Sequence, residues 1–511
     1  MALARNFARL ALVTSALAIP LHTRDNNGPP DDIRWGSCDF ESTGTGPIEC
    51  GTLDVPLDYT DAASTEKLTL SLIKSPARTN GTASKRSILF NFGGPGYEAI
   101  HSLNSAADLL HGMTGGQHDL IAFDPRGVGK TLTFSCFETA TDRQLANYKY
   151  PLLDVDAHEN ALAETFANMQ ILTNVCHERY NDSTNPEFLG TAFVARDLIS
   201  VVDALGEDGL LRYWGFSYGS LLGATVAAMF PSRMDRVVLD GVVNAHNYYH
   251  RFGIDVDQLL SADAAFRAVL AQCIEAGPAR CALASLDNAA TVADLEATLW
   301  RAVDRYRKGP VAAGTIDVVD AHLFRELLFI TIKYPTNVAV AAQHIRNLVA
   351  GTNLTEAAAY HRALSEGIAM PDDSLYGISC SDKFPRTDSL AGILPDLERM
   401  LETSELFGSQ IGSIAAVCPS WPWAAKERYD GGFAPGSIKT KTPILLFGNT
   451  YDPVTPLPSA RNMSAAFEGS VVVEQHGFGH ATISQASACT AQVLRAYFVN
   501  GTLPAEGTVF G

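Results

Sequence analysis

The chain has 511 residues, 46% hydrophobic and 18% charged, with 56 acidic side chains against 38 basic ones and a formal net charge of −18. That length suits one large core with a sizeable insertion, or two domains. The acidic balance argues against nucleic acid and anionic membrane as partners and favours neutral or cationic substrates.

Residues 1–9 carry Arg5 and Arg9 without an acid, residues 10–18 are apolar, and Ala16-Leu17-Ala18 has the small-x-small form of a cleavage site. This reads as a secretory signal peptide over 1–18. A mitochondrial presequence is the competing reading, disfavoured because the apolar run is compact and not amphipathic. The run is too short to span a bilayer, and no later segment reaches that length. Asn80, Asn181, Asn353, Asn462 and Asn500 open Asn-x-Ser/Thr triplets, which permit glycosylation in a secreted chain. Nine cysteines include no Cys-x-x-Cys pair. In an oxidising compartment they make up to four disulfides. Connectivity is open at this level. The expectation is pairing of sequence neighbours: Cys38 with Cys50, Cys136 with Cys176, Cys273 with Cys281, and Cys380 with Cys418. Cys489 is left over and is expected to be buried.

Residues 21–34 are rich in Asn, Pro, Gly and Asp and read as a flexible lead-in. Residues 50–59 and 67–74 alternate in polarity like strands, and 87–90 and 119–123 are short apolar runs suited to buried central strands. The first of these runs into Asn91-Phe92-Gly93-Gly94-Pro95-Gly96. This loop lacks both Gly-x-Gly-x-x-Gly and a Lys-Ser/Thr end, so it is no phosphate cradle. It suits a loop presenting backbone N–H groups to a developing oxyanion. Asp124-Pro125-Arg126-Gly127-Val128-Gly129-Lys130-Thr131 ends like a P-loop, but Asp124 stands where a P-loop needs Gly. A structural turn, with Asp124 and Arg126 fixing neighbouring loops, is the expectation. Residues 136–190 are polar and irregular with a helical patch near 159–173, and 191–205 read as an amphipathic helix.

An apolar run then meets Gly215-Phe216-Ser217-Tyr218-Gly219, and a helix-like run follows at once. Strand, sharp turn and helix are the grammar of a nucleophile elbow, in which small residues must flank a strained serine. Residues 236–239 form another buried strand. From 245 to 436 the pattern becomes helical, with segments at 259–276, 291–307 and 321–332 and no strong strand signal. Strands resume at 442–448 and 471–474, and a helix over 483–498 closes the chain.

A serine hydroxyl needs a base to take its proton, and the base needs an orienting acid. Ser217, Asp452 and His480 follow one another in the order serine, acid, histidine, each after a strand. Asp240 also follows a strand and is the competing acid. His476 is the competing base. Asp452 is favoured because its strand immediately precedes the histidine loop, and His480 because it leads into the terminal helix. The amides of Gly94 and Tyr218 are the candidate oxyanion donors. No His-Glu-x-x-His or other metal constellation stands out, so neither metal nor cofactor is expected.

The motifs at 91–96, 124–129 and 215–220, with Leu-Asp-Gly at 239–241 and Thr-Tyr-Asp-Pro-Val-Thr-Pro at 450–456, resemble the tripeptidyl and prolyl aminopeptidase family. Cys-Gly-Thr-Leu-Asp-Val-Pro-Leu-Asp-Tyr at 50–59, Cys380-Ser381-Asp382 and Cys418-Pro419-Ser420-Trp421 look like the same secreted group, and the resemblance spans about 50–498. It implies an α/β-hydrolase fold: a mostly parallel central sheet flanked by helices, with core 19–244 and 437–511 and a helical cap inserted over 245–436. It also implies release of short N-terminal pieces from peptides through the Ser217–His480–Asp452 triad. Tyr97 and Glu98 depart from the small residues that usually follow Gly-Gly-Pro-Gly, and Phe92 replaces a common His or Pro. An aminopeptidase needs a carboxylate for the substrate's amine, and Glu98 and Asp382 are the candidates. A pocket altered at Tyr97 and Glu98 equally suits an ester or lactone of a small metabolite. A non-catalytic binding protein is argued against by the intact triad, and an epoxide hydrolase or dehalogenase by serine in place of an Asp nucleophile.

Overall fold

The apolar runs assemble into one sheet of ten strands. The computed structural model describes residues 32–79, 84–183, 185–286, 291–368 and 372–511. The expected signal peptide and Asn80 lie outside these residues. In chain order the strands are β1 (Arg34–Gly36), β2 (Glu49–Pro56), β3 (Lys67–Ser75), β4 (Ile88–Asn91), β5 (Leu120–Phe123), β6 (Leu211–Phe216), β7 (Met234–Asp240), β8 (Val311–Ala313), β9 (Asp317–Val319), β10 (Leu445–Tyr451), β11 (Val471–Phe478) and β12 (Val509–Phe510). All but β8 and β9 form the sheet, in the order β1-β2-β3-β5-β4-β6-β7-β10-β11-β12. The pairs β1–β2, β2–β3 and β3–β5 are antiparallel; every pair from β5–β4 to β11–β12 is parallel.

Strands β4, β5 and β6 are buried at every position, as expected where helices cover both faces of a parallel sheet. Alternation sorts their side chains. Leu89, Ile121, Leu211 and Tyr213 face a core shared with the helices Thr191–Ala204 and Tyr218–Met229. Phe90, Ala122, Trp214 and Phe216 face a second layer with the helices Ala99–Thr114 and Ala488–Asn500. The sequence reading did not anticipate Ala99–Thr114, and β1 turns the end of the expected lead-in into an edge strand.

The stretch between β7 and β10 divides. Residues 259–364 build their own apolar cluster around Phe266, Leu299 and Phe324, which Leu406 and Phe407 join from further along the chain. Residues 372–425 instead pack Ile378, Leu397 and Trp421 onto the main core. The absence of strands expected here is corrected by the β8–β9 hairpin, in which Val311 pairs with Val319. Two three-residue strands are too short to show a period of two. Among the described residues no helix is long and apolar enough to cross a membrane.

Disulfides join Cys38 to Cys50, Cys136 to Cys176, Cys273 to Cys281 and Cys380 to Cys418. Cys489 is exposed rather than buried as expected: it lies in the first turn of the helix Ala488–Asn500, while Thr490, Leu494, Tyr497 and Phe498 take the buried face. Asn181, Asn353, Asn462 and Asn500 are all exposed. Arg126 is fully buried and holds the Asp124 turn to the core, donating to both Asp197 carboxylate oxygens and to the carbonyls of Pro56 and Leu57.

Candidate active site

Ser217 lies between β6 and the helix Tyr218–Met229, with φ 56° and ψ −123°. A non-glycine residue held there stores backbone strain, which only tight surroundings maintain. Those surroundings account for the flanking glycines. A Cβ on Gly215 would stand 2.2 Å from the Gly219 carbonyl oxygen, and one on Gly219 would stand 2.4 Å from that of Asn91. The Ser217 N–H donates to the Asp240 carbonyl at 3.0 Å, tying the turn to β7.

The loop after β4 closes over this turn. The Gly93 N–H donates to the Asn91 side chain at 3.0 Å. At Gly93 (φ +94°) a Cβ would lie 2.6 Å from the Phe216 carbonyl oxygen and 2.9 Å from the Ser217 Cβ. Gly94 and Tyr218 line a cavity together with Ser217, and among the described residues no protein acceptor takes their N–H groups. Tyr218 opens its helix, where the dipole favours negative charge. Its ring is held from below: its hydroxyl shares a 2.6 Å hydrogen bond with Thr191, whose N–H donates to Asp382 at 2.7 Å.

Asp452 follows β10 and His480 follows β11. His480 Nδ1 lies 3.1 and 3.2 Å from the two Asp452 oxygens. A carboxylate only accepts, so Nδ1 carries the proton and Nε2 is left as the acceptor. The same carboxylate accepts the N–H groups of Val454, Thr455 and Ala481 and the Thr455 hydroxyl, all within 2.9 Å. Burial alone would raise the Asp452 carboxyl. The facing His480 and these amides outweigh it and hold the group below its usual range. His480 and Ser217 line the same cavity; among the described residues no direct hydrogen bond joins their side chains.

The rejected candidates stand elsewhere. Asp240 accepts from the Thr482 N–H at 2.9 Å and from Trp214 Nε1 at 3.3 Å, and burial pushes its carboxyl up to about 7. His476 is exposed within β11, near Thr450 and Tyr451. The candidate amine anchors, Glu98 and Asp382, are not among the residues that line this cavity. Asp382 is fully buried under Thr191, Tyr248 and Tyr218 and does not line the cavity. Its negative charge is used at the N-terminus of the helix Thr191–Ala204. Glu98 precedes the helix Ala99–Thr114 and pairs with His101 at 3.2 Å, also outside the cavity.

The cavity measures about 410 Å³. Phe92, Tyr97, Phe216, Tyr248 and Leu375 give it apolar walls, and the stretch between β7 and β10 also contributes Asp255, Gln258, Lys333 and Tyr334. The sequence reading missed these four. Asp255 and Gln258 lie in a turn segment and Lys333 and Tyr334 at a helix end, all in stretches of ordinary composition, and only packing brings them to this cavity.

Residues 87–272 match the family described as alpha/beta hydrolase fold, and residues 404–510 match the family described as TAP-like protein. The chain has the α/β-hydrolase fold, and its C-terminal part is similar to TAP-like proteins. Serine protease Hip1 of Mycobacterium tuberculosis is 27% identical over 475 residues, covering 90% of this chain and 86% of the relative. Tripeptidyl aminopeptidase of Streptomyces lividans is 26% identical over 495 residues, covering 93% and 86%. Carboxylesterase B of Mycobacterium tuberculosis is 27% identical over 482 residues, covering 92% and 88%.

Proposed function

We propose that this hydrolase is a secreted serine exopeptidase that releases short pieces from peptide N-termini through an acyl-enzyme. Ser217 attacks the carbonyl, His480 takes and returns the proton, and Asp452 orients His480 and stabilises its cation. The amides of Gly94 and Tyr218 receive the oxyanion. The observation that carries this reading is the buried Asp452 carboxylate bonded to His480 Nδ1, with both His480 and Ser217 on the wall of one cavity. Peptide substrates are supported by the two peptidase-named relatives. Four disulfides support passage through an oxidising compartment, and the four exposed sequons are available to glycosylation there. The second reading is an esterase with the same triad, favoured by the carboxylesterase-named relative and by the absence of Glu98 and Asp382 from the cavity wall.

Aminoacyl- and tripeptidyl-anilides, assayed beside short-chain p-nitrophenyl esters, separate the two. Turnover confined to anilides with free N-termini supports the exopeptidase; turnover of esters alone supports the second reading. Ser217→Ala is expected to lower kcat by roughly 10⁶-fold on whichever substrate is turned over, with the thermal melting profile retained. Activity surviving this change would remove Ser217 from the mechanism.

A further inference from the structure

Lys333 is a cation on the cavity wall that has no carboxylate partner among the described residues. It is the last residue of the helix Ala321–Lys333. Its carbonyl accepts the His480 N–H at 3.0 Å, which locks this helix end to the histidine loop. Its ammonium lies 5.2 Å from the Tyr334 ring centroid. A basic residue suits a helix C-terminus for its dipole alone, but that role does not require a place on the cavity wall.

Two phenols accompany it. Tyr97 and Tyr334 hydrogen-bond to one another, and both line the cavity. Burial pushes the Tyr97 phenol up to about 12, against an opposing pull from Lys333, so the ammonium acts on this pair. Lys333, Tyr334 and Ile414 also line the neighbouring cavity of about 1000 Å³, so this group stands where the two spaces meet. The other charged groups of that second space have partners: Arg325 pairs with Asp154 and Asp156, His322 with Asp154, Glu326 with His361, Arg143 with Asp373 and Arg307 with Asp304, while Asp320 accepts from the Leu323 N–H. The acid on the catalytic wall, Asp255, is also occupied. It accepts from Asn247 Nδ2, from the N–H groups of Asp257 and Asn244, and from the Ser459 hydroxyl. The charge left available to a ligand is positive.

We infer that Lys333, with the hydroxyls of Tyr97 and Tyr334, binds a carboxylate of the substrate. The preferred substrate is then a short molecule with an acid near its scissile bond. This deepens the serine-hydrolase reading and rests on it. The carboxylate is either the C-terminus of a very short peptide or the free acid of a small half-ester.

Equilibrium binding tests this apart from turnover. Calorimetry on Ser217→Ala protein compares monomethyl glutarate with dimethyl glutarate, and dialanine with dialanine amide. The acid-bearing member of at least one pair is expected to bind about 10- to 100-fold tighter, the range for a hydrogen bond to a charged group. The preference should vanish in Ser217→Ala/Lys333→Gln, persist in part in Ser217→Ala/Lys333→Arg, and weaken in Ser217→Ala/Tyr97→Phe. Preference in the dialanine pair alone identifies a peptide C-terminus; preference in the glutarate pair alone identifies a small acid ester. Equal binding within both pairs, or a preference that survives Lys333→Gln, overturns the inference. Absent turnover by the wild-type protein would sink the hydrolase reading and leave the binding result standing.

Discussion

Asp452 and Asp240 differ in their surroundings, not in residue type. Asp240 ends β7, Asp452 follows β10, and both are fully buried. His480 and three amides hold Asp452 charged. Asp240 faces Thr482 and Trp214, with burial lifting it to about 7. Only a carboxylate that stays ionised beside the imidazole favours its cation, so Asp452→Asn is expected to lower kcat about 10⁴-fold. Asp240→Asn should lower kcat less than about tenfold, since an amide replaces a half-protonated acid whose partners are Thr482 and Trp214 rather than His480. Steady-state kinetics on one ester checks both, and the reverse ranking would exchange the two acids. The sequence presented both aspartates and both histidines. What separates His476 from His480 is the length of β11, which runs to Phe478 and keeps His476 within the strand.

At the scale of elements, the site depends on two backbones meeting at van der Waals limits. The loop after β4 presses Gly93 against Ser217, and the elbow presses Gly219 against Asn91. Gly93→Ala places a methyl group where no atom fits, at a φ that favours glycine. It is expected to cost about 1–3 kcal/mol of stability and to lower kcat more than it raises KM, because it shifts Ser217 and the Gly94 amide together. Urea denaturation beside kinetics tests this; unchanged kcat would show that the loop does not position the serine. These glycines were legible because tight turns need them. Asp382 was legible as part of a motif but not in its role. An acid in an unpaired stretch of sequence looks available to a ligand, whereas here Thr191 and Tyr248 occupy it and the Cys380–Cys418 disulfide pins its helix.

Across the whole molecule, buried charge sets a pH dependence. Burial raises Asp124 and Asp240 from 3.8 to about 7 and Asp382 to about 6. An acid raised on folding binds its proton better in the folded state. It therefore penalises the fold above its folded pKa and is relieved as pH falls toward 3.8. Two buried bases work the other way. Lys383, lowered by burial from 10.5 to about 7, costs stability as pH falls between those values. His111, lowered by burial from 6.5 to about 4, does so below pH 6.5. Burial also raises Asp255 and lowers His118; four buried carboxyls oppose three buried bases, so Tm is expected to be higher at about pH 5.5 than at about pH 8. Scanning calorimetry at the two pH values decides it, and a higher Tm at pH 8 would contradict the assigned burial of these acids.

The sequence by itself determined β4 to β7, β10 and β11, the glycine-flanked turn at Ser217, and the chain order of Ser217, Asp452 and His480. Each of these rests on local physics: apolar runs, glycines at forced turns, and residues placed just past strand ends. Only the tertiary structure decided which aspartate meets His480, that Asp382 supports Tyr218 through Thr191, and that Lys333, Tyr97 and Tyr334 line the cavity of Ser217. Those outcomes depend on contacts between segments far apart in the chain. The helix end at Lys333 meets His480 far along the chain, and no periodicity within that helix records where it docks.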